Sequence, residues 1–100
     1  MLLTKEIKAA FPAFGSTDGQ GDDAKVVVKF FDPTGSWTWY ATEFDGEDTF
    51  FGLVCGLDGE LGYFSLSELQ SIKGPMGLGI ERDRYFVSKR HTIGDCRQMG

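Results

Sequence analysis

Between Lys25 and Leu69 the apolar positions alternate in short runs and then switch to a helical spacing, and those changes of period lay out most of the fold. Lys25 to Phe31 (KVVVKFF), Trp37 to Phe44 and Thr49 to Leu57 are rich in β-branched and aromatic residues, and Glu60 to Phe64 continues the series, so each predicts a strand. Asp32-Pro33-Thr34-Gly35 reads as a type I turn with Gly35 in the left-handed bulge position. Asp45-Gly46-Glu47-Asp48 turns the chain again, and Asp58-Gly59 reads as a two-residue hairpin loop. Before this meander, Leu3, Ile7, Ala10, Phe11 and Phe14 share one helical stripe, with Thr4 as N-cap and Pro12 closing the helix near Phe11. After it, Ser65-Leu66-Ser67-Glu68 is a capping box that starts a helix at Leu66 and ends it before Gly74-Pro75. Arg84 to Val87 predicts a short last strand. The expected class is α+β: an N-terminal helix, a four-stranded antiparallel meander, a short capped helix and a short last strand. Residues 1–87 are read as a single domain, and 88–100, which lack periodicity, as a flexible tail.

Tight turns set register, and register sets which side chains share a face. The three turns predict the pairs Lys29 with Trp39, Trp39 with Val54, Tyr40 with Leu53, and Cys55 with Gly62. One face then carries Val26, Val28, Phe30, Tyr40, Leu53 and Phe64, a set suited to a helix-covered core. The opposite face carries Lys29, Trp37, Trp39, Glu43, Val54 and Tyr63, with Gly52 and Gly56 beside the tryptophans. Two short helices do not obviously cover both sides, so the tryptophan face is either closed by the segment after Gly74, used in self-association, or open to a partner.

Composition narrows the class of partner. Fifteen acids against ten Lys and Arg give a net charge of −5, which repels duplex nucleic acid. Phe50 to Leu57, the longest apolar run, has eight residues, well short of the roughly 20 that span a bilayer, and no signal-peptide layout opens the chain. No membrane association and a cytoplasmic, reducing location are therefore expected, with Cys55 and Cys96 as free thiols.

Candidate chemistry is sparse. Glu43, Asp45, Glu47 and Asp48 cluster about one turn without the ligand spacing of a calcium loop, and read as a solvated turn. His91 and Cys96 are too few for a zinc site. Cys55 has apolar or glycine neighbours and no base beside it. Gly74, Gly77 and Gly79 form a glycine-rich stretch that no strong strand enters and no helix follows, which speaks against a phosphate loop. No metal, cofactor or catalytic residue is assigned. Glu81, Arg82 and Asp83, in the alternating run ending at Arg84, are a secondary ligand candidate and read first as ion pairs that hold the C-terminal segment.

Three blocks, KFFDPTGSWTWYATEF (Lys29 to Phe44), FFGLVCGLDGELGYFSLSEL (Phe50 to Leu69) and GPMGLGIERDRYF (Gly74 to Phe86), occur in the order seen in a family of small bacterial domains of unknown function, and the chain resembles that DUF2958 family from Leu2 to about Phe86. The resemblance implies an accessory protein carried by mobile genetic elements and transfers no catalytic residue. The leading expectation is a non-enzymatic interaction module whose aromatic sheet face, with Trp37, Trp39 and Tyr63 as anchors and Lys29 and Glu43 as polar contacts, docks a protein partner. Alternatives are a single-stranded nucleic-acid binder using the same rings, an acidic nucleic-acid mimic using Asp18 to Asp23 and Asp45 to Asp48, and a small-ligand or enzymatic site at Glu81 to Arg84.

Overall fold

The structure, a computed structural model, describes residues 2–17, 19–72 and 78–99. Helix α1 spans Lys5–Ala10; Thr4 caps it, its Oγ1 accepting the Ile7 N–H at 3.2 Å, and the chain leaves helical geometry at Phe11, just before Pro12. Strands β1 (Val28–Phe31), β2 (Thr38–Phe44), β3 (Thr49–Cys55) and β4 (Gly59–Ser65) form the antiparallel meander, and α2 (Leu66–Ser71) follows β4 directly. The Ser65 hydroxyl accepts the Glu68 N–H at 3.1 Å, so the expected N-cap forms, but the Glu68 carboxylate accepts from that same hydroxyl at 3.0 Å and not from the Ser65 N–H of a complete capping box. The last strand, β5, is Glu81–Arg82, earlier than the expected Arg84 to Val87, and pairs with β1. The sheet order is β4-β3-β2-β1-β5. The expected tail also folds: Ile93–Met99 is a helix, α3.

Of the three turns, the central one is itself one residue off, with Phe44 opposite Phe50, and a bulge at Thr42 restores the expected register beyond it. Asp45 Oδ1 accepts the N–H groups of Glu47, Asp48 and Thr49, Gly46 takes a φ of +90°, and Trp39 lies opposite Val54 with Tyr40 opposite Leu53. The outer two differ. Asp32 N–H bonds to the Trp37 carbonyl at 3.0 Å, making a six-residue loop in which Gly35 is not left-handed, and Lys29 pairs with Tyr40 where Trp39 was expected. At the third turn the loop is Gly56-Leu57-Asp58, and Cys55 pairs with Gly59, three positions from the expected Gly62. Both slips are odd, and an odd slip exchanges faces.

A further register shift lies inside β2. Ala41 pairs with Gly52 and Glu43 with Phe51, leaving Thr42 as a bulge whose hydroxyl bonds the Phe51 carbonyl at 3.1 Å. The bulge turns Glu43 away from the tryptophan face. Consequently the expected grouping of Lys29, Trp37, Trp39, Glu43 and Tyr63 on one face does not exist: Trp37 and Trp39 lie on one side, Lys29, Glu43 and Tyr63 on the other.

Both sides are covered. The tryptophan face, with Phe30, Phe44, Phe50 and Phe64, packs under Leu2, Leu3, Ile7 and Phe11, with Leu69 of α2 and Ile80 closing it. Phe50 is its hub, with the rings of Phe44, Phe64 and Phe30 at 4.6, 5.2 and 5.4 Å. The other face, with Tyr40 and Leu53, packs under Ala24, Val26 and the α3 residues Ile93 and Cys96. An antiparallel bridge between Lys25 and Thr92 ties this second cover to the chain just before β1. Thr92 caps α3 reciprocally with Asp95, their side chains accepting each other's N–H groups at 3.2 and 3.0 Å. That Thr-x-x-Asp spacing, with Ile93 and Cys96 one turn apart, is the signal in the sequence that marks this helix.

Candidate functional site

The loops β1–β2 and β3–β4 meet at one end of the sheet, and Trp37 joins them. Its ring lies over Gly56, where a Cβ would come within 2.5 Å of the indole, and stacks on Trp39 with ring centroids 6.2 Å apart. Trp39 is only 7% exposed and belongs to the core, whereas Trp37 remains 46% exposed. Leu57, at the tip of the neighbouring loop, is 99% exposed. A shallow cleft of about 220 Å³ runs between them, floored by Val54 and edged by Asp58 and Glu60. Glycine at 56 is thus required for the indole to lie flat against the backbone, and the outcome is a fixed apolar prominence beside two carboxylates.

Tyr63 stands on the opposite face, 69% exposed, with Phe51 and Phe14 at 5.0 and 6.3 Å. Because the rings of Trp37 and Tyr63 point to opposite sides, the three expected anchors do not form one stacking platform for a single strand.

Glu43 has an internal role. It is 3% exposed; its carboxylate accepts the Gly15 N–H at 2.6 Å, the Thr17 N–H at 2.7 Å and the Thr17 hydroxyl, pinning the Gly15–Thr17 loop to the sheet. Burial alone would raise its pKa, but the bonds from Thr17 and Gly15 outweigh that and hold it below the usual carboxylate value. A depressed carboxyl favours the fold above its unfolded pKa and loses that contribution as pH falls through the folded value. Glu43→Gln should therefore cost about 1.5–3 kcal/mol at neutral pH. The difference in Tm from wild type should shrink as the pH is lowered below 4.5, the ordinary value for this group; a difference independent of pH would assign the anchor to packing alone.

Lys29 forms an ion pair with Asp83 at 3.6 Å and lies 5.6 Å from the Tyr40 ring, its cation–π partner. Lys29 and Asp83 line an open cleft of about 350 Å³ with Phe31, Asp32 and Thr38. Asp83 also accepts the Tyr85 N–H at 2.9 Å, and Asp32 accepts from the Thr34 N–H and hydroxyl at 2.9 and 3.0 Å. Both carboxylates therefore shape turns. Glu81 is exposed, and the Nε of Arg82 is buried without a hydrogen-bond partner among the described residues.

The acids are distributed in the same way. Asp48 accepts from the Ser67 N–H and hydroxyl, both at 2.8 Å, and Asp22 pairs with Arg97 at 2.9 Å. Asp18, at the head of the other expected acidic segment, and Gly74 and Gly77 of the glycine-rich stretch lie outside the described residues. Burial pushes the Cys96 thiol up to about 11 and the Cys55 thiol above its ordinary value, which leaves both protonated and poor nucleophiles near neutral pH. Among the described residues no three His, Cys, Asp or Glu side chains are grouped to hold a metal ion, and no helix is long and apolar enough to cross a membrane.

No curated protein and no solved structure matches the chain. A family model described as protein of unknown function (DUF2958) matches residues 2–94, which takes in the α1 cover, the whole sheet and the start of α3, and the chain belongs to that family.

Proposed function

We propose that the protein is a protein-binding module whose contact is the Trp37–Leu57 prominence. The observation that supports this most is the pairing of a half-exposed indole, held flat between Trp39 and Gly56, with a leucine that gains nothing from the fold where it stands. Aromatic anchors held rigid before binding lose little entropy on docking and account for much of the energy at protein interfaces. Asp58 and Glu60 flank the prominence, so the fitting partner offers an apolar pocket with basic groups at its rim. A role as an accessory protein of mobile elements agrees with a small chain whose chemistry is recognition.

The test is affinity capture from the native host with the wild type and with the double variant Trp37→Ser, Leu57→Ser, after circular dichroism has established that the variant is folded. Loss of the proteins captured by wild type is expected. If the double variant fails to fold, Leu57→Glu alone carries the test, because a fully exposed side chain has no packing to lose. Unchanged capture by either folded variant overturns the reading.

A further inference from the structure

The two edges of the sheet are unlike. β5 is two residues long and charged, whereas β4 is seven residues long, with no Lys, no Pro and no bulge. Edge strands without such devices are open to pairing with another strand. The direction of the free backbone groups follows from the register. Asp45 N–H bonds the Thr49 carbonyl at 2.9 Å, so the backbone groups of Thr49 and Phe51 point toward β2 and those of Phe50, Gly52 and Val54 toward β4. Phe64, Gly62 and Glu60 answer them across the ladder. The N–H and C=O groups of Leu61 and Tyr63 therefore point outward, as does the Gly59 carbonyl, which accepts from Arg97 Nη1 at 2.9 Å.

We propose that β4 pairs antiparallel with β4 of a second copy about a two-fold axis at Gly62, joining two five-stranded sheets into one. In this register Leu61 lies opposite the partner copy's Tyr63 and Tyr63 opposite its Leu61, the pairs whose backbone groups have no partner among the described residues, giving roughly four ladder hydrogen bonds. Leu61 and Tyr63 are both exposed on the same face, so each pair is an apolar contact between strands. Gly62 meets itself at the axis, where an added Cβ would find nothing within 4 Å in the single chain, so the two backbones can approach closely. Glu60 faces Phe64, and no like charges are opposed.

The ends of the strand are charge-complementary. Arg97 is held at Gly59 by its bond to that carbonyl, and Glu68 is held at Ser65 by the Ser65 hydroxyl at 3.0 Å. Pairing about Gly62 sets Gly59 opposite the partner copy's Ser65, which brings Arg97 of each chain to Glu68 of the other. A self-complementary surface of this kind is what a two-fold dimer requires.

Sedimentation velocity tests it. The wild type should sediment as a dimer of twice 11.1 kDa, with a dissociation constant on the order of micromolar, and the dimer should weaken as salt is added. Arg97→Glu and Glu68→Lys should each be monomeric, because each sets like charges against one another at both ends of the interface. An equimolar mixture of the two should sediment as a dimer again, since each altered charge then meets an opposite one. A monomeric wild type at high micromolar concentration, or a mixture that stays monomeric, overturns the proposal. Leu61→Lys, at an exposed position, provides a further variant in which dimer should be lost with the fold retained; a dimer that survives it places the interface elsewhere. Capture through Trp37 and Leu57 is measured separately, so failure of one reading leaves the other standing.

Discussion

Trp39→Ala should remove about 3–5 kcal/mol of stability, the range for truncating a buried aromatic residue, while Trp37→Ala, two residues away on the same face, should cost about 1 kcal/mol. The two indoles touch, yet only one is part of the core: Trp39 is enclosed with Phe30, Phe44 and Phe50, and Trp37 rests on the outside of it. For a chain of 100 residues each kcal/mol moves Tm by about 4–8 °C, so thermal melts separate the two variants readily. Similar losses from both would mean that Trp37 belongs to the core and that the proposed contact surface is packing. The contrast also bears on experiment: a variant that removes both tryptophans together would report folding, not binding.

Gly52→Ala should be comparably damaging, with a loss of about 3 kcal/mol or more, enough to leave a marginally stable domain largely unfolded. A Cβ at this position would stand 1.9 Å from the Tyr40 carbonyl oxygen and 2.9 Å from the Ala41 Cα. These are backbone atoms beside the Thr42 bulge, and they cannot swing aside as a side-chain terminus can. Gly62→Ala, one strand over, is the control, because open space surrounds that position in the single chain. Chemical denaturation of both proteins checks the pair; equal midpoints would show that β2 shifts to admit the methyl group.

The legible parts of this fold were those decided locally. Thr4 and Ser65 cap helices with side chains three residues from the N–H groups they satisfy, and both caps appear where the residues stand. The Asp45 turn is also local: one carboxylate collects three N–H groups and Gly46 supplies the left-handed bend. The face assignments failed where loop length was chosen by competition among contacts distant in sequence. Asp58-Gly59 has the chemistry of a two-residue turn, but Phe50 pairs with Phe64 in the larger aromatic cluster and draws β4 three residues along. Glu43 could not be assigned from its neighbours, because its partners, Gly15 and Thr17, lie on a loop more than 25 residues earlier. Of the expected contact residues, Trp37 and Tyr63 are exposed, on opposite faces, and the exposure of Leu57 and Leu61 follows from the shifted register of the third turn.

The cover of the Tyr40 face has a consequence for synthesis. Ribosomes deliver the N-terminal end first, so α1 can settle on the tryptophan side as soon as the meander exists. The opposite side has to wait for Ile93 and Cys96, which are made after every strand of the sheet. Until they arrive, Leu53 and Tyr40 lack the α3 part of their cover, on a sheet whose long edge is also unpaired among the described residues. The newborn chain is therefore at greatest risk of aggregation, and of greatest interest to chaperones, in the interval between completing its sheet and closing it.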